Sequence, residues 1–220
     1  MRAWQGVLFD LDGTLVDSAP DLAAAANRMR ESRGLAPLPD AEYRAWAGSG
    51  ARGMLRVGFQ LTPESPTFEA MKAEFFDAYE AGLCERTDLF EGVAALIDAL
   101  DAQAQPWGIV TNKMERFALP LQAALPSLRR ATCIVGGDST PHAKPHPAPL
   151  FEACRRAGVR AEQCVYVGDD LRDIQAGRAA GMTTVAASYG YLGFGQNPHD
   201  WGADFVVDSV QALLQCLELT

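Results

Sequence analysis

Gly6-Val7-Leu8-Phe9-Asp10-Leu11-Asp12-Gly13-Thr14 is the stretch on which the reading of this chain turns. A short apolar run stops abruptly at two aspartates and a glycine, as a buried strand does where it reaches a sheet edge. The same design recurs along the chain. Trp107 to Thr111, Thr132 to Val135, Cys164 to Gly168, Thr183 to Ala187 and Asp204 to Val207 are short apolar runs, each ending at polar or small residues. Helical patterns lie between them. Val93, Leu96, Ile97 and Leu100 share one helix face, and Pro147 to Ala157 closes on Gly158, a normal C-terminal stop. Alternation of this kind predicts an α/β fold: a Rossmann-like parallel sheet with crossover helices on both faces.

One segment breaks the alternation. From Val16 to about Phe90 the sequence carries helical spacing and no convincing strand: Leu22 to Met29, Asp40 to Trp46, then Phe68, Met71, Phe75 and Tyr79. Pro37, Pro39, Pro63 and Pro66 punctuate these helices. The segment is too long for a simple crossover. It is read as an inserted helical domain, with the core divided into residues 1–16 and 91–220 and the insertion at 17–90.

Composition narrows the field of functions. Among 220 residues, 28 acidic against 19 basic side chains give a net charge of −9, with 48% hydrophobic residues. This is an ordinary globular composition. An acidic chain without a basic run lacks the footprint that nucleic acid requires. No apolar stretch reaches the length of a membrane span or a signal-peptide core, so no membrane partner is expected and the cytoplasm is the expected compartment. The five cysteines are odd in number and show no C-x-x-C spacing, which predicts reduced thiols and no zinc site.

The polar residues at the strand ends carry the chemistry. Alternation in an extended segment sets Asp10 and Asp12 on one side, where two carboxylates repel unless something compensates. A hard divalent ion such as Mg²⁺ is the natural compensation. Thr111-Asn112 ends the second strand of the set, Lys144 precedes a helix, and Gly168-Asp169-Asp170 ends a later strand with Asp173 one turn on. Carboxylates, a lysine and hydroxyl or amide donors on one edge describe phosphoryl transfer on a small phosphate ester. Asp10 can attack phosphorus and form an aspartyl-phosphate. Asp12 is placed to protonate the leaving oxygen and then to deprotonate water.

Asp10-Leu11-Asp12-Gly13-Thr14, Thr111, Lys144 and Gly168-Asp169-Asp170-Leu171-Arg172-Asp173 resemble the four motifs of the haloacid dehalogenase superfamily. The resemblance spans nearly the whole chain. It implies Asp10 as nucleophile, Asp12 as acid/base and Thr111 and Lys144 as phosphate binders, with Asn112 beside them. It implies Mg²⁺ held by Asp10, the Asp12 backbone carbonyl and Asp169, with Asp170 or Asp173 acting through water or from behind the ligands. Members that cleave carbon–halogen bonds lack an aspartate at the position of Asp12, so a phosphatase or phosphomutase is implied. The helical insertion resembles the C1-type cap, which closes over the site and chooses substrate.

Within the superfamily the chain resembles the phosphoglycolate phosphatase group. Ser49-Gly50-Ala51-Arg52, Trp107 to Lys113, Arg116-Phe117, Tyr189-Gly190-Tyr191 and Trp201 to Asp204 resemble a branch acting on N-acetylmuramic acid 6-phosphate in cell-wall sugar recycling. Alternatives are 2-phosphoglycolate as substrate, a phosphomutase, and a phospho-accepting signalling module. Oligomeric state is not legible.

Gly48-Ser49-Gly50-Ala51-Arg52-Gly53 spells G-x-G-x-x-G but follows a helical pattern rather than a strand, which argues against a dinucleotide site. It is either a flexible cap loop carrying Arg52 toward the non-phosphate part of the substrate or a plain helix–helix turn with a solvated arginine. Trp46, Phe68, Phe75 and Tyr79 have the spacing of packing residues.

Overall fold

The computed structural model describes residues 4–219; the extreme ends of the expected core, residues 1–3 and 220, lie outside the described residues. Strand β1 (Gly6–Phe9) opens the fold, and β2 (Val16–Asp17) follows after the acidic turn. Then come α1 (Ala19–Glu31), α2 (Asp40–Arg44), α3 (Gly50–Phe59) and α4 (Phe68–Ala81), before β3 (Asp88–Leu89) pairs antiparallel with β2. The remainder alternates: α5 (Val93–Ala102), β4 (Trp107–Val110), α6 (Glu115–Ala124), β5 (Ile134–Val135), α7 (Ala148–Ala157), β6 (Cys164–Gly168), α8 (Leu171–Ala179), β7 (Thr183–Ala187), β8 (Phe205–Val207) and α9 (Val210–Cys216). Six strands form one sheet in the order β5-β4-β1-β6-β7-β8, every pair parallel. The order reverses around β1, the kind of switch point where open α/β sheets bind ligands.

Strand periodicity divides the core. Val7, Phe9, Val165 and Val167 share one apolar cluster with Leu96, Ile97 and Leu100 of α5 and Leu213 of α9. Leu8, Val110 and Tyr166 point the other way, onto Leu150 and Ala153 of α7 and Ala176 of α8. Burial on both faces is why these strands read as unbroken apolar runs. The helices between β2 and β3 build their own cluster from Leu22, Met29, Tyr43, Met54, Leu55 and Phe75. Phe117 and Tyr191 join that cluster from the sheet side.

Three sequence expectations need correction. The stretch after Val16 does contain strand, because β2 and β3 form a two-residue ribbon with Val16 opposite Leu89 and Asp17 opposite Asp88. Elements of that length leave no period to detect. Strand ends also shorten, with Thr132 and Asp204 outside β5 and β8. Finally, Gly50-Ala51-Arg52-Gly53 is the first turn of α3 rather than a loop. Its glycine spacing is steric: a Cβ on Gly53 would stand 2.2 Å from the Trp46 carbonyl oxygen, and Gly50 turns the chain at φ +54°.

The ribbon is pinned by a buried carboxylate. Asp21, 1% exposed in the first turn of α1, accepts from Arg86 N at 2.9 Å, Thr87 N at 3.0 Å and Thr87 Oγ1 at 2.5 Å. Tyr191 works from the opposite side, its hydroxyl accepting from Ala19 N at 2.9 Å and donating to Asp17 Oδ1 at 3.0 Å. No helix is long and apolar enough among the described residues to cross a membrane.

Candidate active site

Asp10 directly follows β1 and has the parity of Leu8, whose partner across the sheet is Tyr166. Its side chain therefore heads for the α7/α8 face, where Lys144 waits. Lys144 Nζ lies 2.8 Å from Asp10 Oδ1, 2.7 Å from Asp173 Oδ1 and 2.8 Å from Tyr166 Oη. Asn112 fixes the lysine backbone from both sides, accepting from Lys144 N at 2.9 Å and donating to its carbonyl at 3.0 Å. Asp173 is set by the start of α8, whose capping box joins it to Asp170.

Asp169 completes the group from the end of β6. It accepts from Thr14 Oγ1 at 3.1 Å and from Tyr191 N at 2.8 Å. The backbone crowds it: a Cβ on Gly13 would stand 2.1 Å from Asp169 Oδ2, and one on Gly190 2.3 Å from Asp169 Cβ. Only glycine permits that approach.

Asp10, Asp169 and Asp173 each bring a carboxylate oxygen within 4.8 Å of the others, and all three are buried. The Lys144 ammonium pairs with two of the three, Asp10 and Asp173. Burial pushes Asp10 up to about 7; Lys144 opposes the rise and Asp173 adds to it. Asp169 is driven well above the usual carboxylate range by burial, then by Asp10 and Asp173. Asp10 Oδ1 is buried and, among the described residues, has no hydrogen-bond partner beyond its 2.8 Å ion pair with Lys144. An all-oxygen donor set, an excess of negative charge and an orphaned carboxylate oxygen together fit a hard divalent cation such as Mg²⁺.

Asp12 is directed elsewhere. Its carboxylate accepts from Lys113 Nζ at 2.8 and 3.0 Å and from Ser18 Oγ, which leaves the backbone carbonyl as the part available to a metal. The Lys113 ammonium is disfavoured by burial, but Asp12 more than offsets this and its pKa lies above the ordinary lysine value. Lys113 is the site residue that the sequence reading passed over; its one signal was to stand directly after Thr111-Asn112. Thr111 is buried beside the cavity, and its hydroxyl accepts from Lys113 N at 3.1 Å. Asp170 and Asp173 separate clearly. Asp170 is bound by Arg172 through Nε at 2.8 Å and through its backbone N, while Asp173 stands with the carboxylate cluster. Arg172 also donates to the Gly48 carbonyl at 2.8 Å, joining α8 to the turn before α3.

These groups open into a cavity of about 620 Å³ between the sheet edge and the helices. Its far wall is aromatic, with Phe68, Phe75, Phe76 and Tyr79 of α4 facing Phe117 of α6. Phe68, Phe75 and Tyr79 are buried, as packing residues should be, and line the cavity as well. Arg52 reaches the rim from the first turn of α3, and Lys72 from α4, paired with Glu69 at 2.6 Å.

The sequence matches the haloacid dehalogenase-like hydrolase family over residues 7–187. It is 39% identical over 214 residues to an N-acetylmuramic acid 6-phosphate phosphatase of Pseudomonas aeruginosa, covering 97% of this chain and 95% of that one. To a phosphoglycolate phosphatase of Xanthomonas campestris pv. campestris it is 46% identical over 211 residues, 94% of each chain. The fold superposes on a predicted phosphoglycolate phosphatase from Haemophilus somnus with a TM-score of 0.84 at 30% identity, over 98% of this chain and 99% of that one. A clustered set of acids, a buried lysine and these matches along nearly the full length agree: the chain belongs to the haloacid dehalogenase-like hydrolases and is a phosphatase of that family.

Proposed function

We propose that this phosphatase hydrolyses the phosphomonoester of a sugar-sized, acidic substrate, with N-acetylmuramic acid 6-phosphate the best fit. The observation that carries the proposal is the meeting of Asp10, Asp169, Asp173 and Lys144 at the switch point of the sheet. Asp10, at the mouth of β1, attacks phosphorus. Lys144 neutralises an approaching phosphate oxygen, assisted by the Thr111 hydroxyl and the backbone around it. Asn112 holds Lys144 in place through both ends of its amide, and the second N–H of that amide would serve the phosphate. Asp12 protonates the ester oxygen and then accepts a proton from water.

Asp10, the Asp12 carbonyl and Asp169 would hold Mg²⁺, with Asp173 behind them rather than Asp170. When bound, the ion supplies charge neutralisation for the phosphate and for the carboxylates around it.

Residues 17–90 act as a cap over a core made of 1–16 and 91–220. The proposal draws on the four helices between β2 and β3 and on the wall that α3 and α4 give the cavity. Arg52 would meet the non-phosphate end of the substrate. Volume favours the sugar: 2-phosphoglycolate would leave most of the 620 Å³ to water, whereas a hexose can lay its apolar face on the aromatic wall. A place in cell-wall sugar recycling and a cytoplasmic location follow from that choice of substrate.

The test is release of inorganic phosphate from a panel that includes N-acetylmuramic acid 6-phosphate, 2-phosphoglycolate and hexose phosphates. The sugar acid should lead the panel in kcat/KM; a lead by 2-phosphoglycolate of orders of magnitude would overturn the choice. Turnover without free phosphate would point to a mutase.

A further inference from the structure

Lys113 sits in an unusual place for a cation in an anion-binding cavity, because its donors are spent on a carboxylate. Its ammonium is 2.8 Å from Asp12 Oδ1 and 3.0 Å from Oδ2, and only 8% of its side chain is exposed. Lys113 N donates to Thr111 Oγ1 at 3.1 Å, and its carbonyl accepts from Gly137 N at 2.8 Å. The Nζ lies 4.9 Å from the centre of the Tyr79 ring, a cation–π contact with α4. The two oxygens of Asp12 are not equivalent. Oδ1 accepts from both Ser18 Oγ and Lys113, whereas Oδ2 has Lys113 alone, at the longer distance.

We propose that Lys113 is a positioning residue for departure of the alcohol: with Ser18 it fixes the orientation of the Asp12 carboxyl from which the alcohol takes its proton. This rests on the acid/base role given to Asp12 above. As Asp10 bonds to phosphorus, the bond to the ester oxygen breaks and its electron pair stays on that oxygen. The proton of the Asp12 carboxyl follows, so the alcohol leaves neutral. Asp12, then a carboxylate facing the Lys113 ammonium, takes a proton from the water that attacks phospho-Asp10, and inorganic phosphate departs. The ring of Tyr79 belongs to the helical segment, so the ammonium is enclosed only when α4 lies against the core.

A buried ion pair with a purely structural role would affect every substrate alike. An acid-positioning lysine would not, because a nitrophenolate leaves without a proton and an alkoxide does not. The experiment compares p-nitrophenyl phosphate with N-acetylmuramic acid 6-phosphate, or with 2-phosphoglycolate should the wild type prefer it. Lys113→Met should lower the rate of alcohol release in the first turnover on the alkyl ester by about 10²-fold or more, the usual scale of general acid catalysis, with less than about tenfold loss of nitrophenolate release in the first turnover on the aryl ester, because the later attack of water is common to both. KM should change little for either. Lys113→Gln keeps an uncharged NH₂ donor and should recover part of the alkyl rate. Aryl turnover also reports that a variant is folded, and if the methionine variant lacks it the glutamine variant decides by the same ratio. Equal losses on both esters, or none, would overturn the inference. A wild type that frees phosphate from no ester would instead overturn the functional reading beneath it.

Discussion

Replacing Asp10, the carboxylate proposed to attack phosphorus, should make the metal-free protein more stable while ending its turnover. In the folded chain burial raises Asp10 from 3.8 to about 7, so an ionised Asp10 costs about three powers of ten in proton affinity, or about 4 kcal/mol. Asp10→Asn removes that cost. It also removes one partner of Lys144, but Asp173 at 2.7 Å remains to pair with the ammonium. A net gain of about 2–4 kcal/mol is expected above pH 7, which for a chain of this size is roughly 5–15 °C in Tm. The sign follows from linkage. Between about pH 4 and pH 7 the folded state binds more protons than the unfolded state, so wild-type stability falls as pH rises through that window. The advantage of the asparagine should therefore be full at pH 8 and vanish near pH 4. Calorimetry or thermal denaturation with chelator present, at both pH values, makes the measurement. Equal stability at pH 8, or a gain that persists unchanged at pH 4, would refute the reasoning. Mg²⁺ should raise the wild-type Tm far more than that of the variant.

The same carboxyls make Mg²⁺ binding proton-linked: calorimetric titration should show proton release and an affinity that weakens as pH falls below about 7, and a pH-independent affinity would contradict the raised Asp10 value. Asn112→Ala loses both bonds to the Lys144 backbone; stability should drop by about 1–2 kcal/mol and kcat more than tenfold, and a variant with full activity would show that Lys144 needs no clasp. Asp21→Ala strands two backbone N–H groups and a hydroxyl, which should cost about 2–4 kcal/mol, read as a lower urea midpoint with unchanged slope.

How much of this was visible in the amino acids alone depended on the length scale of the signal. The inner strands of the sheet were legible because burial on both faces turns each into an apolar run, and helices such as α5 announced themselves by one face. Asp10 and Asp169 could be placed on one edge because each follows such a run, Asp173 because it stands one turn on, and Lys144 because it precedes a helix. Partners across space were not legible. Whether Asp170 or Asp173 joined the acidic cluster depended on a capping box and on Arg172 taking the former. That the Asn112 amide bonds the Lys144 backbone at both its nitrogen and its oxygen is likewise a contact no linear pattern shows. Lys113 could not be assigned because nothing in a linear pattern tells that a lysine will fold back onto an aspartate 101 positions away. The turn at Gly48 to Gly53 was open between two readings because glycine serves mobility and close packing equally, and the Trp46 carbonyl decides for packing.

Tyr191 has a consequence for how the molecule moves. One end of this residue, its amide, grips a carboxylate oxygen of Asp169, and the other, its hydroxyl, receives the first amide of α1 and leans on Asp17. A swing of the helices away from the sheet must therefore break the hydroxyl contacts or drag the grip on Asp169 along. Any such swing and the loosening of Asp169 would be mechanically one event, so exchange at the cavity mouth and relaxation around Asp169 should share a single rate.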